Sequence, residues 1–163
     1  MKRASSEVRE VRLIPIPVRD DIRPGDSVAD MLLQSMRRRR LRFQPGDILV
    51  VKHKIVSKAE GRLVDLATIQ PSAASVEWAK QYDLDARVIE LALRESRTVI
   101  RRKNGVLITE TQHGFLCANS GVDVSNVDGG GHALLLPEDA DRSAADLRRA
   151  LKKHTGVSLA VII

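Results

Sequence analysis

Cysteine is nearly absent from this 163-residue chain, with Cys117 the single example. No disulfide can form within the chain, and no cysteine cluster can hold zinc. Aromatic residues are almost as scarce: Phe43, Trp78, Tyr82 and Phe115 are the full set. The core must therefore be built from Leu, Val, Ile and Ala. The base-stacking platforms of single-strand nucleic-acid binders are mostly missing as well. No apolar run approaches the roughly 20 residues of a membrane span. Residues 1–12 are charged and carry no apolar stretch of signal-peptide length. The expectation is a soluble cytoplasmic protein with no membrane partner.

What is present is an ordinary globular composition, 43% hydrophobic, which argues against disorder. Lysine plus arginine number 27 against 21 acids, for a formal charge of +6. A basic balance favours anionic partners such as phosphates, nucleotides or nucleic acid. Four consecutive arginines, Arg37, Arg38, Arg39 and Arg40, point in successive directions on a helix and form no single stripe. A solvated helix end favoured by the helix dipole is the simpler reading, a phosphate patch the alternative.

The pattern predicts an α+β fold with hairpins, a mixed sheet and about four helices in one domain, residues 1–163. Strands are expected over residues 11–18, 48–51, 98–101, 106–110, 114–118, 133–136 and 159–163. Helices are expected from Asp26 or Ser27 to about Arg40, over 72–82, over 85–95 and over 143–154. The last has Ser143 and Asp146 at capping-box spacing and Gly156 as its stop. Asn104-Gly105 marks a tight hairpin. The all-apolar strand at 48–51 is expected to be buried on both faces.

Two segments after apolar strands could carry chemistry. The first is Asn119-Ser120-Gly121-Val122-Asp123-Val124-Ser125-Asn126-Val127. Asp123 offers a hard anionic oxygen suited to Mg²⁺ or Mn²⁺. Ser125 and Asn126 can orient a phosphate or base, and Gly121 can let backbone approach a ligand. On pattern alone it reads more readily as a turn than as a site. The second is His53-Lys54-Ile55-Val56-Ser57-Lys58-Ala59-Glu60-Gly61-Arg62, read as a polar loop. Its cations Lys54, Lys58 and Arg62 suit nucleotide phosphates, but the glycine and lysine spacing of a P-loop is absent. Glu110, His113 and His132 are weaker candidates. Surface roles suffice for the first two and a flexible glycine loop for the third. Cys117 reads as a small buried hydrophobe.

Ile55-Val56-Ser57-Lys58-Ala59-Glu60-Gly61-Arg62 and the stretch from Cys117 to Val127 closely resemble the signatures of the coenzyme F420:L-glutamate ligase family. Arg23-Pro24-Gly25-Asp26 and Leu136-Pro137-Glu138-Asp139-Ala140-Asp141-Arg142-Ser143-Ala144 match in the same order. The resemblance implies an amide-bond-forming ligase. It would use GTP and Mg²⁺ or Mn²⁺, with K⁺ as a further ion, and join L-glutamate by γ-linkage to a deazaflavin precursor through an acyl phosphate. By motif, Asp123 would bind metal, and Asn126 and Lys58 would contact GTP. His53 and Lys54 align with a nucleotide-contacting pair by position, and residues 19–22 with a further GTP-contacting stretch. The family is further expected to be homodimeric. Its Asp-Thr motif, which completes the metal site, would lie beyond Ile163, so the resemblance covers an N-terminal part with impaired activity. The alternatives are a nucleotide-binding module without catalysis and a basic nucleic-acid-binding domain.

Overall fold

The computed structural model describes residues 10–19, 21–124 and 131–163. Helix α1 (Val28–Arg38) begins where the Ser27 hydroxyl accepts from the Asp30 N–H at 3.2 Å. That cap satisfies one of the donors a helix start leaves open. Its apolar face, Ala29, Leu32, Leu33 and Met36, is buried. It packs against α5 (Ala140–Thr155) through Leu147 and Leu151, and against Leu49, Val56, Leu159 and Phe43. Among the described residues this is the larger of two cores. Strands β1 (Ile48–Val50) and β7 (Ala160–Ile162) pair in parallel along its edge.

The smaller core gathers Leu66, Ile69, Leu91, Ala133 and Leu135. It lies between α4 (Ala86–Arg94) and an antiparallel pair, β2 (Leu63–Asp65) with β6 (His132–Leu134). Strands β3 (Ser96–Lys103), β4 (Val106–Thr111) and β5 (Leu116–Ala118) form a third, antiparallel sheet. Asn104 and Gly105 both take positive φ, 50° and 76°, as the tight hairpin turn requires. Helix α3 (Ala73–Tyr82), capped by Ser72, packs on α4, which is capped by Asp85. The expected α+β class holds, with parallel and antiparallel pairs distributed, among the described residues, over three small sheets.

Five expectations change. Residues 11–18 form no strand, because Pro15 and Pro17 have no N–H for a ladder and Val11 and Leu13 are exposed. Strand β1 is buried on one face only; Ile48 and Val50 remain 62% and 70% exposed. Residues 53–59 form a fifth helix, α2 (His53–Ala59). Its N-cap, Lys52, makes no side-chain cap, so the sequence gives no start signal; burial of Val56 and Ser57 decides the conformation. Helix α5 begins earlier than Ser143, capped by Asp139, whose carboxylate accepts from the Arg142 N–H at 2.8 Å. Ser143 instead donates to Glu60 across the helices. Cys117 is half-buried, and its burial pushes the thiol pKa up.

Candidate functional site

The two segments singled out in the sequence meet. Asp123 pairs backbone to backbone with Leu134 on the free side of β6: the Asp123 N–H donates to the Leu134 carbonyl at 3.0 Å, and the Leu134 N–H to the Asp123 carbonyl at 2.8 Å. Residues directly opposite in an antiparallel bridge point to the same face. Asp123 and Leu134 therefore share one face of the sheet. Ala133 and Leu135 take the other, towards α4. Helix α2 packs on β6, and Lys54 on α2 forms an ion pair with the Asp123 carboxylate. The Lys54 and Asp123 side chains are about one-third and one-fifth exposed, so the pair is reachable from solvent. Lys58 lies one helical turn beyond Lys54 on the same side of α2.

His53, the first residue of α2, is half-buried. Burial holds its pKa below the ordinary histidine value; Lys54 pushes the same way and Asp123 opposes. The imidazole is thus neutral near pH 7 and its nitrogens can accept as well as donate. Its Nδ1 is buried and has no hydrogen-bond partner. The same holds for Asn119 Oδ1 and His132 Nδ1. Such orphaned atoms are costly to leave unmet; Ser57 Oγ and Trp78 Nε1 share the condition.

The turn leading to Asp123 is strained and firmly anchored. Asn119, Ser120 and Gly121 have φ of 50°, 53° and 72° in succession. Left-handed conformations at two non-glycine residues cost energy and cluster at functional sites. Ser120 provides the anchor. Its hydroxyl donates to the Ala92 carbonyl at 2.6 Å and lies 2.8 Å from the Thr109 hydroxyl, which also accepts from the Ser120 N–H at 3.0 Å. Sequence reasoning passed over this pair. The signal was present in the polar Thr109, set at a buried alternate position of β4. Gly121 has a role other than the one expected. A Cβ there would lie 2.9 Å from the Leu136 side chain, so its close neighbour is Leu136, not a ligand.

Arg62 leaves the cation cluster. Its guanidinium donates to the Leu136 carbonyl at 2.9 Å and to Glu95 at 3.1 Å, and pairs with Glu138 at 3.5 Å. It ties β2 to the β6–α5 connection. Glu110 pairs with Arg97 at 3.4 Å, and His113 Nε2 lies 2.9 Å from the Glu138 carbonyl oxygen. Both fill surface roles, as expected. Asn126, Ser125 and the glycines Gly129 and Gly130 lie outside the described residues, as does Asp20 of the 19–22 stretch. A cavity of 270 Å³ between α1, α2 and α5 is edged by Asp26, Glu60 and Asp146. Its acidic rim does not suit a phosphate.

A reachable carboxylate paired with one lysine, with a second lysine one turn along the same helix face, suits the class of proteins that act on phosphate-bearing ligands. For a hard cation Asp123 offers one anionic oxygen, and among the described residues no group of three or more His, Cys, Asp or Glu could hold an ion by itself.

Sequence comparison sharpens that class. The family model described as F420-0:Gamma-glutamyl ligase matches residues 18–163, and the chain belongs to that family. The chain is 41% identical over 153 residues to the coenzyme F420:L-glutamate ligase of Methanopyrus kandleri, covering 94% of this chain and 58% of that protein. Identity to the protein of the same name from Methanothermobacter thermautotrophicus is 41% over 139 residues, covering 85% and 55%. For that of Archaeoglobus fulgidus it is 36% over 153 residues, covering 94% and 59%. The chain thus spans somewhat more than half the length of the curated relatives it matches. No helix among the described residues is long and apolar enough to cross a membrane.

Proposed function

We propose that this chain carries the nucleotide and metal end of a ligase that joins L-glutamate through its amine to a deazaflavin precursor of coenzyme F420. GTP would be the phosphoryl donor and Mg²⁺ or Mn²⁺ the ion. The observation that carries the reading is the meeting of Asp123 with Lys54 across the α2–β6 interface, supported by family membership over residues 18–163.

Each residue has a task. Asp123 holds the cation. Lys54 and Lys58 neutralise phosphate charge from one helix face, and His53 closes the start of that helix against the site. Asn126 joins them as a GTP contact on the strength of the motif alone. The ion, when bound, offsets the charge of the phosphates. In the reaction, a carboxylate oxygen of the precursor displaces GDP from the γ-phosphorus of GTP and becomes an acyl phosphate. The glutamate amine then attacks the acyl carbon, inorganic phosphate leaves, and the nitrogen loses a proton as the amide forms. Such chemistry asks the protein for positioning and charge neutralisation more than for a nucleophilic side chain. In the same proposal the active protein is a homodimer.

Incubating the chain with deazaflavin precursor, L-glutamate, GTP and Mn²⁺ tests this reading. Mass spectrometry should detect glutamate added to the precursor at an impaired rate, with one GDP formed per glutamate. GTP consumption independent of precursor, or product formed equally well by Asp123→Asn, would overturn it.

A further inference from the structure

Helix α5 carries cations that no motif selects, and they gather on one side of it. Ala145, Arg148, Arg149 and Lys152 follow one another at the three- and four-residue steps that share a helix face. With Ser158, which lies just before β7, they line a cavity of 240 Å³. Arg148 reaches across to the other wall, where its guanidinium donates to the Ser158 hydroxyl oxygen at 3.2 Å. None of these lining residues is acidic. Arg149 pairs with Asp146, whereas Arg148 and Lys152 form no ion pair among the described residues.

The helix dipole accounts for only part of this charge. It favours cations in the last turn of a helix and fades before it. Lys152 falls in the last turn of α5, which ends at Thr155; Arg148 and Arg149 do not. Like charges three and four residues apart destabilise a helix, so the cluster carries a cost that a bound anion removes. The guanidinium forks match phosphate oxygens, Lys152 adds a point charge, and Ser158 adds a hydroxyl. The volume falls short of the roughly 300–1,000 Å³ of sites for drug-sized ligands, which suits a phosphoryl group and not a whole nucleotide. The cavity also lies away from the Asp123 site. Strands β1 and β7 run parallel, with Ile48 opposite Ala160. Ser158 precedes the start of that pair and α2 follows its end. Three strand residues, roughly 10 Å at about 3.3 Å each, separate the two. We propose that this cavity is a second anion site, independent of the one at Asp123, for a phosphate dianion, either free or as the phosphoryl group of a small monoester.

Calorimetric titration at constant ionic strength, with inorganic phosphate and separately with glycerol phosphate, tests the assignment. The chain should bind at least one of them saturably, and the tighter of the two identifies the source. Binding should persist when Lys54→Gln and Lys58→Gln disable the other cation cluster. Arg148→Gln combined with Lys152→Gln should weaken it by roughly tenfold or more through the loss of charge-assisted contacts. Arg148→Lys, which keeps the charge, should lose less. All these side chains are at the surface or reachable from it, and thermal melts by circular dichroism confirm that each variant is folded. Absence of saturable binding, or binding unchanged by the Arg148 and Lys152 substitutions, overturns the site. Binding abolished by Lys54→Gln and Lys58→Gln in a folded chain puts the phosphate at the Asp123 site and overturns it too. A single-stranded oligonucleotide held more tightly than either probe, through Arg148 and Lys152, makes the face a nucleic-acid contact and overturns the small-ligand assignment.

Discussion

Replacing Ser120 by alanine tests whether the approach to Asp123 is held by one buried hydroxyl. Ser120 is 3% exposed and bridges the Ala92 carbonyl, in the last turn of α4, to Thr109 on β4. The variant leaves that carbonyl without its hydroxyl donor and the Thr109 hydroxyl short of one bond, both away from water. A buried polar group left unmet costs about 1–3 kcal/mol. With partial relaxation the loss of stability should be about 2–3 kcal/mol. Glycine removes the same hydroxyl but relieves the left-handed backbone, φ 53°, which costs an L-residue about 1 kcal/mol. Ser120→Gly should therefore be the milder change, although it deletes more atoms. Urea unfolding followed by circular dichroism gives both numbers from the midpoint shift at constant slope. An alanine variant within about 0.5 kcal/mol of wild type, the scatter of an ordinary surface change, would refute the anchor. A glycine variant less stable than the alanine one would refute the strain argument.

Two further outcomes follow from the same neighbourhood and the helices behind it. Gly121→Ala adds a methyl 2.9 Å from Leu136 at a φ of 72°, so a loss of about 2–3 kcal/mol is expected in the same assay. Glu90 accepts from the Ser72 N–H at 3.0 Å, the Ser75 hydroxyl at 2.8 Å and Arg94 at 3.2 Å. The bonds from Ser72, then Ser75, hold its pKa at about 2, against an ordinary value of 4.5. A lowered carboxylate pKa means the folded state binds fewer protons than the unfolded one. Its contribution is complete above the ordinary value and fades as pH falls from there towards about 2. Glu90→Gln should be less stable than wild type at pH 7, with the gap narrowing through that window; a gap constant from pH 7 to 3 would contradict the network.

The helices with caps were legible in the sequence. Ser27, Ser72 and Asp85 each announce a start, and each makes its side-chain bond. Asn104-Gly105 was equally readable, because few dipeptides tolerate two positive φ values in a row. Helix α2 was not, since Lys52 gives no cap and the burial of Ser57 and Val56 is a tertiary fact. The fully apolar run at Ile48 suggested two buried faces, but a strand with one parallel neighbour buries only Leu49 of its three residues. In the site, motif reading named Lys54 and Asp123 separately. Their contact depends on β6 being flanked by β2 and the Asp123 backbone, a pairing local patterns do not encode. Arg62 looked like one more free cation until Glu95 and the Leu136 carbonyl, far along the chain, were placed beside it.

Calorimetric titration of GTP in the presence of Mn²⁺, on wild type and Asp123→Asn, bears most directly on the central claim. The account predicts saturable binding by the wild type that needs the metal, weakened in the variant by roughly tenfold or more. Absence of GTP binding to the wild type, or binding unchanged by Asp123→Asn, would contradict it.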